Sequence, residues 1–348
     1  MRVPFVVYSM RSIPYVIPVI CFLLLPDTLD SAGWWKLYFN TPGRSVPIKE
    51  NPESGLVSII SRAGKYIHGA FYEVSSLRVL NALAAARKRG VEVKLVTEKQ
   101  TYGKKMSVLR RFAEAGIEVA TDAGRRGGLM HNKFAVVDGR YVWTGSFNPT
   151  DGDSSRNDNN AILIDSPPLA DIYESEFMEM FRDRIFGNRT EPGPFADLRN
   201  RYYIKVGDTD INAYFSPENN IERIILQRLR KARISIIFMA FSFTSAGIGE
   251  MMIQKAKEGV QVEGIFERRG AGEAHSQYTK MKLEGLAVKL DHYRNLMHHK
   301  VIVIDNSRVI MGSYNFSRNA NRSNDENVLI IDNKDIAAEY LSEFKRLW

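Results

Sequence analysis

The strongest constraint on this chain is a constellation of six identical residues, with an aromatic at a seventh place, that occurs twice at the same offsets. His131, Lys133 and Asp138 are followed by Gly145, Ser146, Phe147 and Asn148, and His298, Lys300 and Asp305 by Gly312, Ser313, Tyr314 and Asn315. Both copies read H-x-K, four residues, D, six residues, G-S-x-N, and they begin 167 residues apart. A pattern held at that spacing implies two related halves that build the same local structure around it. Two histidines, two lysines and four small polar side chains are the parts needed to cleave a phosphodiester without a metal.

The spacing also predicts the local structure. Phe134-Ala135-Val136-Val137 and Val301-Ile302-Val303-Ile304 are short apolar runs of the kind found in buried strands. Strand side chains alternate faces, so His131 points with Lys133, His298 with Lys300, Ser146 with Asn148, and Ser313 with Asn315. Asp138-Gly139 and Asp305-Asn306 read as tight turns into a following strand. Counting by twos places each Asp on the other face or in the turn, so Asp138 and Asp305 are expected to be architectural.

The repeat continues outside the motifs. Gly90-Val91-Glu92-Val93 matches Gly259-Val260-Gln261-Val262, each after a helix-like basic stretch, Leu77 to Lys88 and Gly249 to Glu258. Gly116-Ile117-Glu118-Val119 matches Gly285-Leu286-Ala287-Val288, Tyr38-Phe39 matches Tyr214-Phe215, and Ser175-Glu176-Phe177 matches Ser342-Glu343-Phe344. The order expected in each half is strand, helix, strand, helix, strand, motif hairpin, long helix. Such alternation predicts an α/β fold: two similar sandwich domains with mixed sheets, related by a pseudo-twofold axis. We place the first domain at 34–186, a linker at 187–201 containing Pro192 and Pro194, and the second domain at 202–348. One site between the halves would unite the two His-Lys sets.

Residues 1–33 are expected to be a signal peptide or an N-terminal anchor. Ile13 to Leu25 is apolar, follows Arg11, and precedes the small residues Ser31-Ala32-Gly33. Arg11, Pro14 and Pro18 count against a spanning helix from Val3 to Leu25, which favours cleavage and export over anchoring. The only cysteine is Cys21, which excludes disulfides within the chain and any Cys-based metal site. No cofactor is expected, because there is no Gly-rich nucleotide loop and no Cys/His zinc spacing. A net charge of +8 and a pI near 9.4 point to a polyanionic partner, nucleic acid first and an anionic phospholipid membrane second. Arg125-Arg126, Lys104-Lys105, Arg156, Arg268-Arg269, Arg318 and Arg322 fall in loops near the expected site, where they can meet backbone phosphates or remain solvated. Trp143 and Tyr314, beside the motifs, are expected to pack in the core. His299 falls off the motif spacing, and His68, His275 and His292 have no counterpart in the other half.

The doubled motif resembles the signature of the phospholipase D superfamily, and the resemblance covers nearly all of the chain after residue 33. Members include phospholipases, cardiolipin synthases, bacterial nucleases and tyrosyl-DNA phosphodiesterases. The Gly-Ser-Phe-Asn and Gly-Ser-Tyr-Asn forms look more like the nuclease and phospholipase branches. The resemblance implies a monomer in which duplication replaces a dimer. It also implies a two-step displacement through a phosphohistidine, with His131 as nucleophile and His298 as acid. Imidazole titrates near neutrality, so two histidines can hold both states at once. Lys133 and Lys300 suit the charge on nonbridging oxygens, Asn148 and Asn315 can add amide donors, and Ser146 and Ser313 can orient a ring nitrogen. Eleven residues after Asn315 stands Glu326, where the first half has Asn159. In the family an acid here commonly supports a catalytic histidine, and its charge would raise that histidine's pKa. The leading expectation is an exported, metal-independent nuclease, because the flanks Gly124 to Gly128 and Ser154 to Asn160 are polar. A phospholipase D acting on head groups is the alternative, and an inactive scaffold for anionic polymers or membranes is the third reading.

Overall fold

A computed structural model of the chain describes residues 33–42, 51–103, 106–122, 128–187, 202–292 and 295–348. The expected signal segment, most of the expected linker, Lys104-Lys105 and Arg125-Arg126 lie outside them. Among the described residues no helix is long and apolar enough to cross a membrane.

The first half runs β1 (Trp35–Phe39), α1 (Pro52–Arg62), β2 (Tyr66–Phe71), α2 (Leu77–Lys88), β3 (Glu92–Thr97), α3 (Lys99–Gly103), α4 (Met106–Glu114), β4 (Glu118–Thr121), β5 (Lys133–Val137), β6 (Tyr141–Gly145), α5 (Asp151–Ser155), β7 (Asn160–Asp165) and α6 (Pro167–Phe181). The second half runs β8 (Tyr203–Val206), β9 (Thr209–Ser216), α7 (Ile221–Leu229), β10 (Ser235–Ala240), α8 (Ala246–Lys257), β11 (Gln261–Phe266), α9 (Gln277–Leu283), β12 (Ala287–Leu290), β13 (Lys300–Ile304), β14 (Arg308–Gly312), α10 (Arg318–Arg322), β15 (Glu326–Asp332) and α11 (Lys334–Leu347). The first sheet has the order β1-β7-β6-β5-β2-β3-β4. The second repeats it as β9-β15-β14-β13-β10-β11-β12, with β8 added beside β9. Both sheets are mixed: β2, β3 and β4 pair in parallel, and the motif strands pair antiparallel.

Three steps in each half were missing from the expected order: the helix and strand α1–β2 and α7–β10, the short helices α5 and α10 after the motif hairpin, and the strands β7 and β15 that follow them. Nearly every side chain of β2, β7, β10 and β15 is buried, so period-two alternation does not mark them. Helix α8 starts three residues before the expected Gly249, because the Ser245 hydroxyl caps it by accepting from the Ile248 N–H.

The inner faces of both sheets share one core with α6 and α11, built from residues such as Phe134, Val136 and Phe177 of the first half and Val301, Val303 and Phe344 of the second. Each closing helix also reaches the other half. Tyr173 of α6 packs edge-on to Phe215 of β9 at 5.2 Å, and Tyr340 of α11 to Phe39 of β1 at 5.4 Å. Helices α1, α2 and α4 cover the outer face of the first sheet, and α7, α8 and α9 that of the second. Trp143 and Tyr314 are core residues, as expected.

The two motif aspartates fasten the motif hairpins at the ends remote from the histidines. Asp138 and Gly139 both have positive φ, as do Asp305 and Asn306, which is the conformation a tight hairpin turn requires. The Asp138 carboxylate accepts the N–H groups of Gly64, Lys65 and Tyr66 at 2.8, 2.8 and 2.9 Å. Asp305 does the same for Arg233, Ile234 and Ser235. Burial pushes the Asp305 carboxyl up, but these backbone bonds outweigh it and hold it below the usual aspartate value. With about 3.3 Å per strand residue, each aspartate sits roughly 17 Å from its motif lysine, too far to join chemistry there.

Candidate active site

Each motif histidine is held by the opposite half. The His131 N–H donates to the Asp325 carbonyl at 3.0 Å, and the His298 N–H to the Asp158 carbonyl at 2.8 Å. Asp158 and Asp325 lie just before β7 and β15, and form isolated parallel bridges with Met297 and Met130. These bridges seat the two His-Lys segments against one another. The motif glycines permit the approach: a Cβ on Gly145 would lie 2.2 Å from the Asn160 carbonyl oxygen, and one on Gly312 2.2 Å from that of Asn327.

The side chains cross in the same way. His131 Nδ1 lies 2.7 Å from Glu326 Oε2, and Glu326 is fully buried. His298 Nδ1 lies 2.8 Å from Asn159 Oδ1. The motif serines stand one step behind: Ser313 donates to Glu326 at 2.8 Å and Ser146 to Asn159 at 3.0 Å. The serines therefore do not orient a ring nitrogen directly. They fix the residue that does, because β7 and β15 come between serine and ring. With Nδ1–H committed to an oxygen, each ring turns Nε2 toward the site.

Both lysines are buried beneath the histidines. Lys133 Nζ donates to the His131 carbonyl and Lys300 Nζ to the His298 carbonyl, each at 2.8 Å. Lys133 Nζ also lies over the Tyr72 ring at 5.3 Å and Lys300 Nζ over Phe241 at 4.7 Å. Those rings in turn meet His131 and His298 edge-on. Burial pushes Lys133 down to about 8, against the pull of Glu326 and Asp153. It lowers Lys300 well below the usual lysine value, helped by repulsion from Lys133. A bound phosphate supplies the missing anion and favours both ammonium forms.

Burial lowers the His131 pKa; Glu326 does pull it upward, as expected, but burial outweighs that pull. His298 falls well below the usual imidazole value through burial, then through Lys300 and Lys133. The two histidines thus differ in the direction expected from Asn159, on a lower scale. Asn148 Nδ2 donates one hydrogen to Asp153 Oδ2 at 2.8 Å, and Asn148 Oδ1 and Asn315 Oδ1 are buried without a hydrogen-bond partner.

Sequence reasoning missed three features. Asn160 and Asn327 bind the halves together: Asn327 Nδ2 donates to Asn132 Oδ1 at 2.9 Å, and Asn160 Nδ2 meets His299 Nδ1 at 2.8 Å. They occupy matching places in the repeat, which was the available signal. Tyr72 and Phe241 also match, each donating its backbone N–H to the residue after a motif histidine, but their differing types hid them. Asp153 has Ala320 at the matching position, so the repeat gave no signal for it. Of the other candidates, His299 turns away from the site to Glu343 at 3.0 Å, and His68 is buried between Glu92 and Glu174. Arg268 is engaged with the Asp291 carbonyl.

A family model described as cardiolipin synthase, PLD-like domain, matches residues 56–181 and 225–348, one match per half. The chain belongs to the phospholipase D superfamily. It is a phosphodiesterase of that superfamily, a hydrolase acting on phosphodiester bonds. Similar proteins include a phospholipase D of Rickettsia typhi, 30% identical over 151 residues that span 43% of this chain and 74% of that protein. Mitochondrial cardiolipin hydrolase of Xenopus tropicalis is 32% identical over 131 residues, 38% of this chain and 62% of that protein. Phosphatidylserine synthase of Haemophilus influenzae Rd KW20 shares the fold, with a TM-score of 0.69 at 14% identity over 92% of this chain and 87% of that chain.

Proposed function

We propose that this phospholipase D superfamily member is a metal-independent nuclease that cleaves DNA or RNA through a phosphohistidine. The observation that carries the substrate class is the placement of free positive charge. Arg156, Arg318 and Arg322 stand exposed on or beside α5 and α10, the short helices that leave the motif asparagines, and have no ion pair among the described residues. Together with a net charge of +8, they suit a backbone that presents phosphates on both sides of the scissile one.

In this reading His131 Nε2 attacks phosphorus, and its positive phosphoimidazole is offset by Glu326. Lys133 and Lys300 take the nonbridging oxygens. His298 Nε2–H protonates the leaving oxygen, then accepts a proton from the water that releases the product. The second reading is a phospholipase D, supported by the names of the Rickettsia and Xenopus relatives. Export follows from the N-terminal sequence and is part of the proposal.

The test offers single-stranded DNA, duplex DNA, RNA and vesicles of phosphatidylcholine or cardiolipin to the protein in excess chelator, with His131→Ala as control. Chelator-resistant cutting of nucleic acid that the variant lacks is the expected result. Head-group release from vesicles with intact nucleic acid would replace this reading by the second.

A further inference from the structure

The two halves back their histidines unequally. Glu326 brings a carboxylate to His131, whereas Asn159 brings a neutral amide to His298. An amide oxygen fixes the ring's tautomer but cannot balance its charge. Yet in the proposed reading His298 is the ring that must hold an extra proton until it passes it to the leaving oxygen. The charged groups acting most strongly on it are Lys300, Lys133, His131 and His299, all cationic when protonated; among the described residues Asp153 is the carboxylate within ion-pair distance of it, and Glu326 lies beyond, against His131.

Asp153 lies on α5, where Thr150 caps the helix and accepts from the Asp153 N–H. It is 5% exposed. Its Oδ2 accepts from both the backbone N–H and the Nδ2 of Asn148 at 2.8 Å, its Oδ1 accepts from Asn157, and its Oδ2 stands 3.9 Å from His298 Nδ1. The matching place on α10 is Ala320, fully buried and without charge. Among the described residues each motif histidine therefore has one carboxylate within ion-pair distance, and the two stand at non-equivalent positions: Glu326 eleven residues past the motif asparagine of the second half, Asp153 five past that of the first.

We propose that Asp153 is the charge partner of His298, a positioning residue that supplies from α5 the carboxylate that Asn159 does not provide. Asn159 holds Nδ1–H in place and Asp153 stabilises the imidazolium across 3.9 Å. In the first step the Nε2–H bond breaks as the leaving oxygen gains the proton, and the ring becomes neutral. In the second step Nε2 takes a proton from the attacking water, and the ring is charged again. The inference rests on the proposed reading in which His298 is the proton carrier, and it holds for either substrate class.

The experiment measures kcat against pH for the parent, Asp153→Asn, Asn148→Ala and Asp153→Asn/Asn159→Glu. The probes are an alkyl diester that the parent cleaves (a short oligodeoxynucleotide or a short-chain phosphatidylcholine) and bis(p-nitrophenyl) phosphate, whose leaving group needs no proton. We expect Asp153→Asn to move the alkaline limb for the alkyl diester to lower pH by about one unit, the effect of losing an opposite charge at this distance. Its loss on the alkyl diester should exceed its loss on the nitrophenyl ester about tenfold, and Asn159→Glu should return the limb toward the parent position. Asn148→Ala should lower kcat without moving the limb. An unmoved limb in Asp153→Asn overturns the proposal, and so does the same displacement in Asn148→Ala, since Asp153 would then act only by holding Asn148. Should Asp153→Asn not fold, Asp153→Ser, which still accepts from the Asn148 N–H, is read by the same criteria.

Discussion

We predict that Glu326→Gln lowers kcat by roughly 30- to 150-fold while leaving the protein folded. The carboxylate is fully buried and touches three groups: His131 Nδ1 at 2.7 Å, the Ser313 hydroxyl at 2.8 Å and Asn324 Nδ2 at 3.1 Å. Glutamine keeps the shape and one acceptor oxygen, so the Nδ1 and Ser313 bonds can persist, but the charge that offsets a phosphorylated ring is lost. An opposite charge in contact favours a charged ring by about 1–3 pKa units, or about 1.4–4 kcal/mol; the middle of that span, about 2–3 kcal/mol at about tenfold per 1.4 kcal/mol, gives the stated range. The amide nitrogen must also face Asn324 Nδ2, a donor against a donor. If the amide flips to relieve that contact, the ring is held in the wrong tautomer and the loss is larger, so the range is a lower bound. The assay is steady-state hydrolysis in excess chelator at the parent's optimum, with thermal melting as the fold control. A folded Glu326→Gln protein within about threefold of the parent kcat would refute the reasoning, since a buried ion partner of a nucleophile cannot be lost so cheaply.

Three further outcomes follow from the geometry. The aspartate at the far end of the second hairpin, Asp305, has a carboxyl held below its usual value, so its stabilisation is present above the unfolded carboxyl pKa and is lost as pH falls through the folded one. The melting-temperature gap between parent and Asp305→Asn should therefore shrink below about pH 4, and a gap constant to pH 2 would contradict that. Gly145→Ala should cost about 1–3 kcal/mol in denaturant unfolding, because its Cβ would lie 2.2 Å from the Asn160 carbonyl and must displace β7; an unchanged midpoint would count against the close approach. Arg156→Ala, Arg318→Ala and Arg322→Ala should each reduce the salt dependence of oligonucleotide binding by about one phosphate contact, and an unchanged slope in all three would remove the case for a nucleic-acid track.

The sequence made much of this site legible, because duplication supplies its own control. Residues that recur at fixed offsets through two divergent halves revealed the histidines, the lysines, the aspartate turns and the presence of two similar α/β halves with mixed sheets. What stayed hidden depends on which half touches which. A repeat says that Asn159 and Glu326 are equivalent, but not that each crosses to the other half's histidine; that follows from the bridges Asp158–Met297 and Asp325–Met130. Asp153 was invisible because comparison of the halves sets it against Ala320. The direction of the histidine pKa values was also beyond reach. It is decided by burial, which outweighs the Glu326 charge at His131. Strands β7 and β15, which begin just after Asn159 and at Glu326, went unseen because burial on both faces removes the alternation that marks a strand.

The central claim is that the two motifs form one site in which His131 is the nucleophile and His298 the proton carrier. The measurement that tests it most directly is the trapping and mapping of the covalent intermediate. A 32P-labelled diester would be mixed with His298→Asn protein in excess chelator, denatured under alkaline conditions that preserve phosphohistidine, and digested for peptide mapping. The account predicts label on the peptide containing His131, and none in the His131→Asn protein. Label on the His298 peptide of the His131→Asn protein, with none on His131, would contradict it.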